Sequence, residues 1–422
     1  MRSVDEQLQS LRRGVEAIIP EDEFRKKLGR AVREDVPLRV KYGIDPTGIN
    51  VHLGHTVPLR KLRQFQDLGH TAVIIIGDYT ALVGDPSGRD ETRARLTREQ
   101  VEENARDYLR QVGRIIDLGR AEVYRNSDWF SKWSFLDVLD LTRHLTLGQV
   151  SARDDFAKRI AAERPVYLHE CLYPLMQGWD SVEVRADVEL GGTEQLFSLL
   201  VARDLQQSRG QSPQIALTMP ILVGTDGTRR MGKSLGNDIG IGLPPNELFG
   251  KIMSIPDEPL RQYFTLLTDL TEDEIDRLLS PGVNPRDAKE ELAKQIVDQY
   301  LGPLGPRAIH VSTTIYLSLG EAAAAEFRRR SEGKDPEDIP KIEISKEYLA
   351  AENLMSLARL IVELGMEMST SNARRVIEQG GVNIGPEHTV ISDPKATIQV
   401  TDGLIVRVGK RKIAQVKLSQ SD

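Results

Sequence analysis

Residues 37–78 constrain the fold most strongly. "PLRVKYGI" (37–44) is rich in strand-forming residues and runs into "DPTG", a turn signal. In "TVPLRKLRQFQDLG" (56–69), Leu59, Leu62, Phe65 and Leu68 recur every third residue, an amphipathic helix stopped near Gly69. "TAVIIIGD" (71–78) is an unbroken apolar run, as expected of a parallel strand covered on both faces. Strand, helix and buried strand make a βαβ unit, which predicts an α/β fold: a Rossmann-like, doubly wound parallel sheet.

Further strands are expected at "AEVYRN" (121–126) and "SVEVRADVEL" (181–190), and helices at "EQVEENARDYLRQVGRII" and "TEQLFSLLVARDLQQS". The length of 422 residues predicts two or three domains. We expect the α/β domain over 1–244 and a helical domain over 245–330, where "DAKEELAKQIVDQYLG" and "LGEAAAAEFRRRSEG" are typical. The charged, proline-containing "SEGKDPEDIPKIE" marks a linker over 331–352. A small α+β domain over 353–422 is expected to carry two helices and then short strands. No apolar run approaches a membrane span, and the charged N-terminus lacks a signal-peptide core, so a cytoplasmic protein is expected. Cys171 is the only cysteine, which excludes a disulfide framework and a cysteine zinc site. The net charge of −7 argues against indiscriminate nucleic-acid binding but not against a local basic patch.

"VHLGH" (51–55) sets His52 and His55 three apart, on one face if helical. They stand where a strand passes into a helix N-terminus, the ligand crevice of an open α/β sheet and a favourable place for phosphate. Gly54 would let a ligand approach the backbone. Two histidines capping a helix is the plainer reading. A metal would need a third ligand that no spacing supplies, so none is expected.

"GTRRMGKS" (227–234) matches the P-loop pattern letter for letter. A P-loop needs a strand directly before it and a helix directly after. Here "ILVGTDG" ends in a hairpin-like turn, and "LGNDIGIGLPP" cannot continue as a helix. A loop presenting Arg230 and Lys233 to polyphosphate accounts for these residues better than a true P-loop does.

Together, "HLGH" after the first strand and "RMGKS" after the last resemble the two signatures of class I aminoacyl-tRNA synthetases. "GIDPTGINVHLGH", "GDYTALVGDPSG", "LHECLYPLMQGWDS" and "VELGGTEQ" narrow the resemblance to the bacterial-type tyrosyl family, and "TSNARRVIEQGGVNIG" resembles an S4 RNA-binding domain. The resemblance implies activation of tyrosine by ATP, with Mg²⁺ accompanying the nucleotide, and transfer of the tyrosyl group to tRNA(Tyr) by a homodimer. It places His52 and His55 on ATP and the transition state, Thr47 on the γ-phosphate, Asp45 on the substrate and ribose, and Gly54 beside the adenine. Gly192, Glu194, Met231, Gly232 and Ser234 complete the ATP site, with Arg230 and Lys233 closing over pyrophosphate. Asp78, Tyr173, Gln177 and Gln195 are placed around the tyrosine ammonium, Asp180 on its phenol hydroxyl, and Lys41 within reach of the phenol oxygen. The chain departs from the usual pattern at Lys41-Tyr42, where Tyr-Cys is common, and at Ala81, Trp179, Glu194 and Arg230.

Residues 353–422 carry nine Lys or Arg against seven Asp or Glu, on an otherwise acidic chain. Arg374, Arg375, Lys410, Arg411 and Lys412 are the expected RNA phosphate contacts. Any one of them alone reads equally as a solvated face. Two alternatives stay open: a paralogue activating another aromatic amino acid, and a non-catalytic RNA-binding protein on the same scaffold.

Overall fold

The computed structural model describes all residues except 47–50, 86–96, 303–317, 332–338, 346–348, 350–352, 386–387, 410–411 and 420–422. The described residues form two compact units, Met1–Gly320 and Glu321–Asp422.

The first unit is built on a six-stranded sheet: β1 (Ala17–Ile19), β2 (Arg39–Ile44), β3 (Thr71–Ile76), β4 (Glu122–Arg125), β5 (Val188–Gly192) and β6 (Ile215–Met219). Their order is β1-β6-β5-β2-β3-β4, parallel except for β1, which runs antiparallel on β6. The expected βαβ unit is present. β2 pairs with β3 from Arg39↔Thr71 to Ile44↔Ile76, and the helix Leu53–Asp67 joins them. Leu59, Leu62 and Phe65 of that helix are buried, as is β3 from Ala72 to Ile76. This explains why the strand shows no polar alternation.

From β2 the chain winds outward through β3 and β4. It then returns to the other side of β2 as β5 and β6. The winding reverses between β2 and β5, and their carboxyl ends open a crevice there, where ligands bind in open α/β sheets.

The segment "SVEVRADVEL" is only partly a strand. Ser181–Glu183 close the helix Leu168–Glu183, and the strand begins at Val188. The alternation of Val and Glu has the period of a strand, but packing overrides it. A Cβ at Gly178 would lie 3.1 Å from Ala202 Cα, so this helix sits almost backbone to backbone on the helix Leu196–Ser208.

Four helices follow the sheet within the same unit: Pro245–Met253, Leu260–Leu267, Glu272–Leu278 and Pro285–Leu301. Tyr263 is buried and its hydroxyl donates to Val223 O at 2.7 Å, anchoring the base of the 224–237 loop. Among the described residues no helix is long and apolar enough to cross a membrane.

The second unit packs the helices Leu357–Glu363 and Thr370–Glu378 through Leu360, Ile361, Ala373 and Ile377 against short strands bearing Val382, Val406 and Val416. Lys341–Ile344, inside the segment read as a linker, forms a strand parallel to Lys412–Leu418, so that part of it belongs to the C-terminal sheet. Arg374 and Arg375 are exposed on one helix. The Lys412 ammonium is held by Met366 O and by Glu367 at 2.8 Å, so it is partly engaged within the unit. Lys410 and Arg411 lie outside the described residues.

Candidate active site

A cavity of about 560 Å³ opens at the winding reversal. Asp45 follows β2 and stands on its rim. Its Oδ1 accepts from Thr80 Oγ1 at 2.7 Å and its Oδ2 from the Tyr173 hydroxyl at 3.1 Å. A Cβ at Gly77 would fall 2.1 Å from Asp45 Oδ1, so only glycine lets the β3 end pass beside this carboxylate. Thr47 lies outside the described residues.

His52 is the N-cap of the Leu53–Asp67 helix, and His55 stacks on it with ring centroids 3.7 Å apart. The capping is inverted: the His52 backbone N–H donates to His55 Nδ1 at 3.3 Å. A neutral His55 ring then carries its proton on Nε2. His52 is 6% exposed, and its Nδ1 is buried with no partner among the described residues. Burial pushes its imidazolium down to about 4, against the opposing charge of Asp238 and with a smaller push from Lys233, so His52 is neutral at pH 7. Both rings and Gly54 line the cavity. A Cβ on Gly54 would meet the His52 ring at 3.0 Å.

The second signature borders the same cavity. Arg230, Met231, Gly232, Lys233 and Ser234 all line it. No strand immediately precedes this loop, and only the three-residue turn Lys233–Leu235 follows, so it is not a P-loop. Sequence reasoning missed Asn237, which braces the loop. Its Oδ1 accepts from Gly232 N at 2.9 Å, and its Nδ2 donates to Arg230 O at 3.0 Å and Asp226 Oδ2 at 3.0 Å.

Tyr173, Gln177 and Asp180 project from one face of the Leu168–Glu183 helix into the cavity, and Gly192, Glu194 and Gln195 line it from the end of β5. Asp180 is buried. It accepts from Trp129 Nε1 at 3.1 Å and Asn126 Nδ2 at 3.4 Å. Burial pushes its carboxyl up to about 7, against the lowering by Lys41, Asn126 and Trp129. No sequence pattern pointed to Trp129 or Asn126.

Two residues expected at the substrate are elsewhere. Asp78 does not line the cavity; it accepts from Ser127 N at 2.9 Å and Ser127 Oγ at 2.7 Å and pairs with Arg125. The short helix Thr80–Val83 carries the chain onward, and Asp85 lines the cavity instead, accepting from Gln195 Nε2 at 2.8 Å. The signal was available, because Asp85 is the aspartate of "GDPSG". Lys41 also fails to reach the cavity, being wholly buried among Gln177, Ser181 and Glu189.

The family model for tRNA synthetases class I (W and Y) matches residues 33–309. The chain is 46% identical to the tyrosine--tRNA ligase of Symbiobacterium thermophilum over 99% of its own length and 98% of the relative's. It is 44% identical to that of Moorella thermoacetica over 98% and 96%. Among solved structures, the tyrosyl-tRNA synthetase of Archaeoglobus fulgidus complexed with L-tyrosine superposes with a TM-score of 0.58 at 24% identity, covering 70% of this chain and 98% of that one. The truncated mitochondrial tyrosyl-tRNA synthetase of Aspergillus nidulans superposes with a TM-score of 0.60 at 22% identity over 78% and 94%, a likeness of fold. With one cavity uniting both signatures and the family model spanning most of the first unit, the chain belongs to the class I tRNA synthetases of the tryptophan and tyrosine group.

Proposed function

We infer that this chain is a tyrosine--tRNA ligase: it activates L-tyrosine with ATP, releases pyrophosphate, and transfers the tyrosyl group to the 3′ end of tRNA(Tyr). The observation that carries this reading is the convergence on one cavity of His52, His55, Lys233 and Asp180. The substrate carboxylate attacks the α-phosphate, so the protein supplies position and charge stabilisation rather than a nucleophile. The two imidazoles donate to phosphate oxygens, and Arg230 and Lys233 close over the leaving pyrophosphate. Mg²⁺ enters as part of the nucleotide substrate. Tyr173, Gln177 and Asp85 take the ammonium, and Asp180 takes the phenol hydroxyl. Tyrosine-dependent exchange of pyrophosphate into ATP tests the reading. Tyrosine is expected to drive exchange strongly, and phenylalanine and tryptophan poorly. Exchange driven better by tryptophan, or none with tyrosine, would refute it.

The first unit carries strongly exposed apolar side chains that support a homodimer. Phe135 (75%), Leu136 (75%), Leu147 (79%) and Leu168 (80%) are all strongly exposed. A symmetric pair would bury such side chains between two copies of the chain. Sedimentation at micromolar concentration should give a particle near twice 47.2 kDa. A monomer there would exclude the dimer. Arg374, Arg375, Lys410, Arg411 and Lys412 supply contacts to tRNA phosphates, and the enzyme works in the cytoplasm, with translation.

A further inference from the structure

Beneath the cavity lies a buried polar cluster that the reaction as described does not use. Lys41 on β2 and Glu189 on β5 are register partners, and both are 0% exposed. Their charged groups are 2.9 Å apart. Burying two charges is a poor way to gain stability, because desolvation offsets much of their attraction. Their other contacts point to a different use. Lys41 Nζ donates to Gln177 O at 2.7 Å and to Ser181 Oγ at 2.7 Å. Glu189 accepts from Gln177 Nε2 at 3.1 Å, Ser181 Oγ at 3.0 Å and Gln214 Nε2 at 2.5 Å. The pair therefore grips Gln177 by its main chain and its side chain together.

A carboxylate can only accept hydrogen bonds, so Gln177 must turn its NH₂ toward Glu189. The planar amide then turns Oε1 away from Glu189. That oxygen is buried, with no partner among the described residues, on a side chain that lines the cavity. An unpaired buried acceptor is costly unless a ligand supplies the donor. We propose that the Lys41–Glu189 pair is a positioning element for amino-acid recognition: it locks the Gln177 amide in one orientation, NH₂ on Glu189, which reserves its oxygen for the ammonium of the substrate. The proposal rests on the assignment of Gln177 to the ammonium. Lys41 then supports Gln177 from beneath while its charge still acts on neighbouring Asp180.

Glu189→Gln tests it in the full-length protein. The substituted amide can present either an oxygen or an NH₂, so the Gln177 side chain is no longer forced into one orientation. The KM for tyrosine in pyrophosphate exchange should rise about tenfold, the scale of one hydrogen bond to a charge. The KM for ATP should stay within about twofold, as should the Ki of 3-(4-hydroxyphenyl)propionate, tyrosine without its ammonium. Equal rises for tyrosine and this analogue, or no rise in either, would overturn the proposal. Lys41→Met/Glu189→Gln leaves no unpaired buried charge and should show the same ammonium-specific loss if the single variant fails to fold. Gln177→Ala separates the two layers. If it weakens tyrosine and the analogue equally, Gln177 does not bind the ammonium. If it weakens tyrosine alone while the Glu189 variants do not, only the positioning role fails.

Discussion

Asp180→Asn should lower tyrosine activation by at least about tenfold, the loss of a charge-assisted bond worth roughly 1.5–3 kcal/mol. Phenylalanine activation should fall less, because phenylalanine never uses this acceptor. The ratio of the two kcat/KM values therefore shrinks. The structure adds a reason for the variant to suffer. The Asp180 carboxylate already takes Trp129 Nε1 on one oxygen and Asn126 Nδ2 on the other. An asparagine there has one acceptor oxygen, so its NH₂ would face one of two donors. The pH dependence has a definite sign. With its carboxyl pushed up to about 7 by burial, Asp180 is protonated below that pH and ionised above it. The preference for tyrosine over phenylalanine should rise between pH 6 and pH 8 in the wild type, around the value of about 7, and stay flat in Asp180→Asn. An unchanged ratio in the variant would make Asp180 structural and remove the main physical support for the phenol assignment.

Removing residues 321–422, the whole second unit, should spare tyrosine-dependent pyrophosphate exchange and cripple tRNA charging by at least about a hundredfold, equivalent to losing two or more phosphate contacts. The cut takes the strand Lys341–Ile344 together with the sheet it belongs to, so no orphaned strand remains. The two compact units have separate apolar cores, which argues that the first folds without the second. Equal loss in both assays would show instead that the C-terminal unit supports the catalytic fold.

The sheet was legible where one periodicity dominates. The spacing of Leu59, Leu62 and Phe65 and the run at 72–76 could be satisfied only by a helix and a buried strand. His52, Gly54, His55 and the 230–234 loop could be read because each has a local motif. Lys41 does not line the cavity because its ammonium is taken by Gln177 and Ser181, 136 and 140 residues away, and by Glu189, partners that no local pattern announces. Asp78 was chosen for its place at a strand end, but a short helix carries the chain past it to Asp85. Trp129 and Asp180 meet across 51 residues, and Glu189 and Gln214 across 25, with nothing in either segment to announce the partner. Such contacts exist only once the sheet has closed.

The reversal of winding between β2 and β5 has a consequence for synthesis on the ribosome. The cavity takes Asp45 and His52 from the first third of the unit, Tyr173 and Gln195 from its middle, and Lys233 from beyond β6. A nascent chain that has emerged only through β4 already holds both histidines on their helix, yet it has no second wall and no loop to face them. No fragment ending before residue 234 encloses the whole site, so a growing polypeptide shorter than that cannot turn over ATP in a half-built cleft.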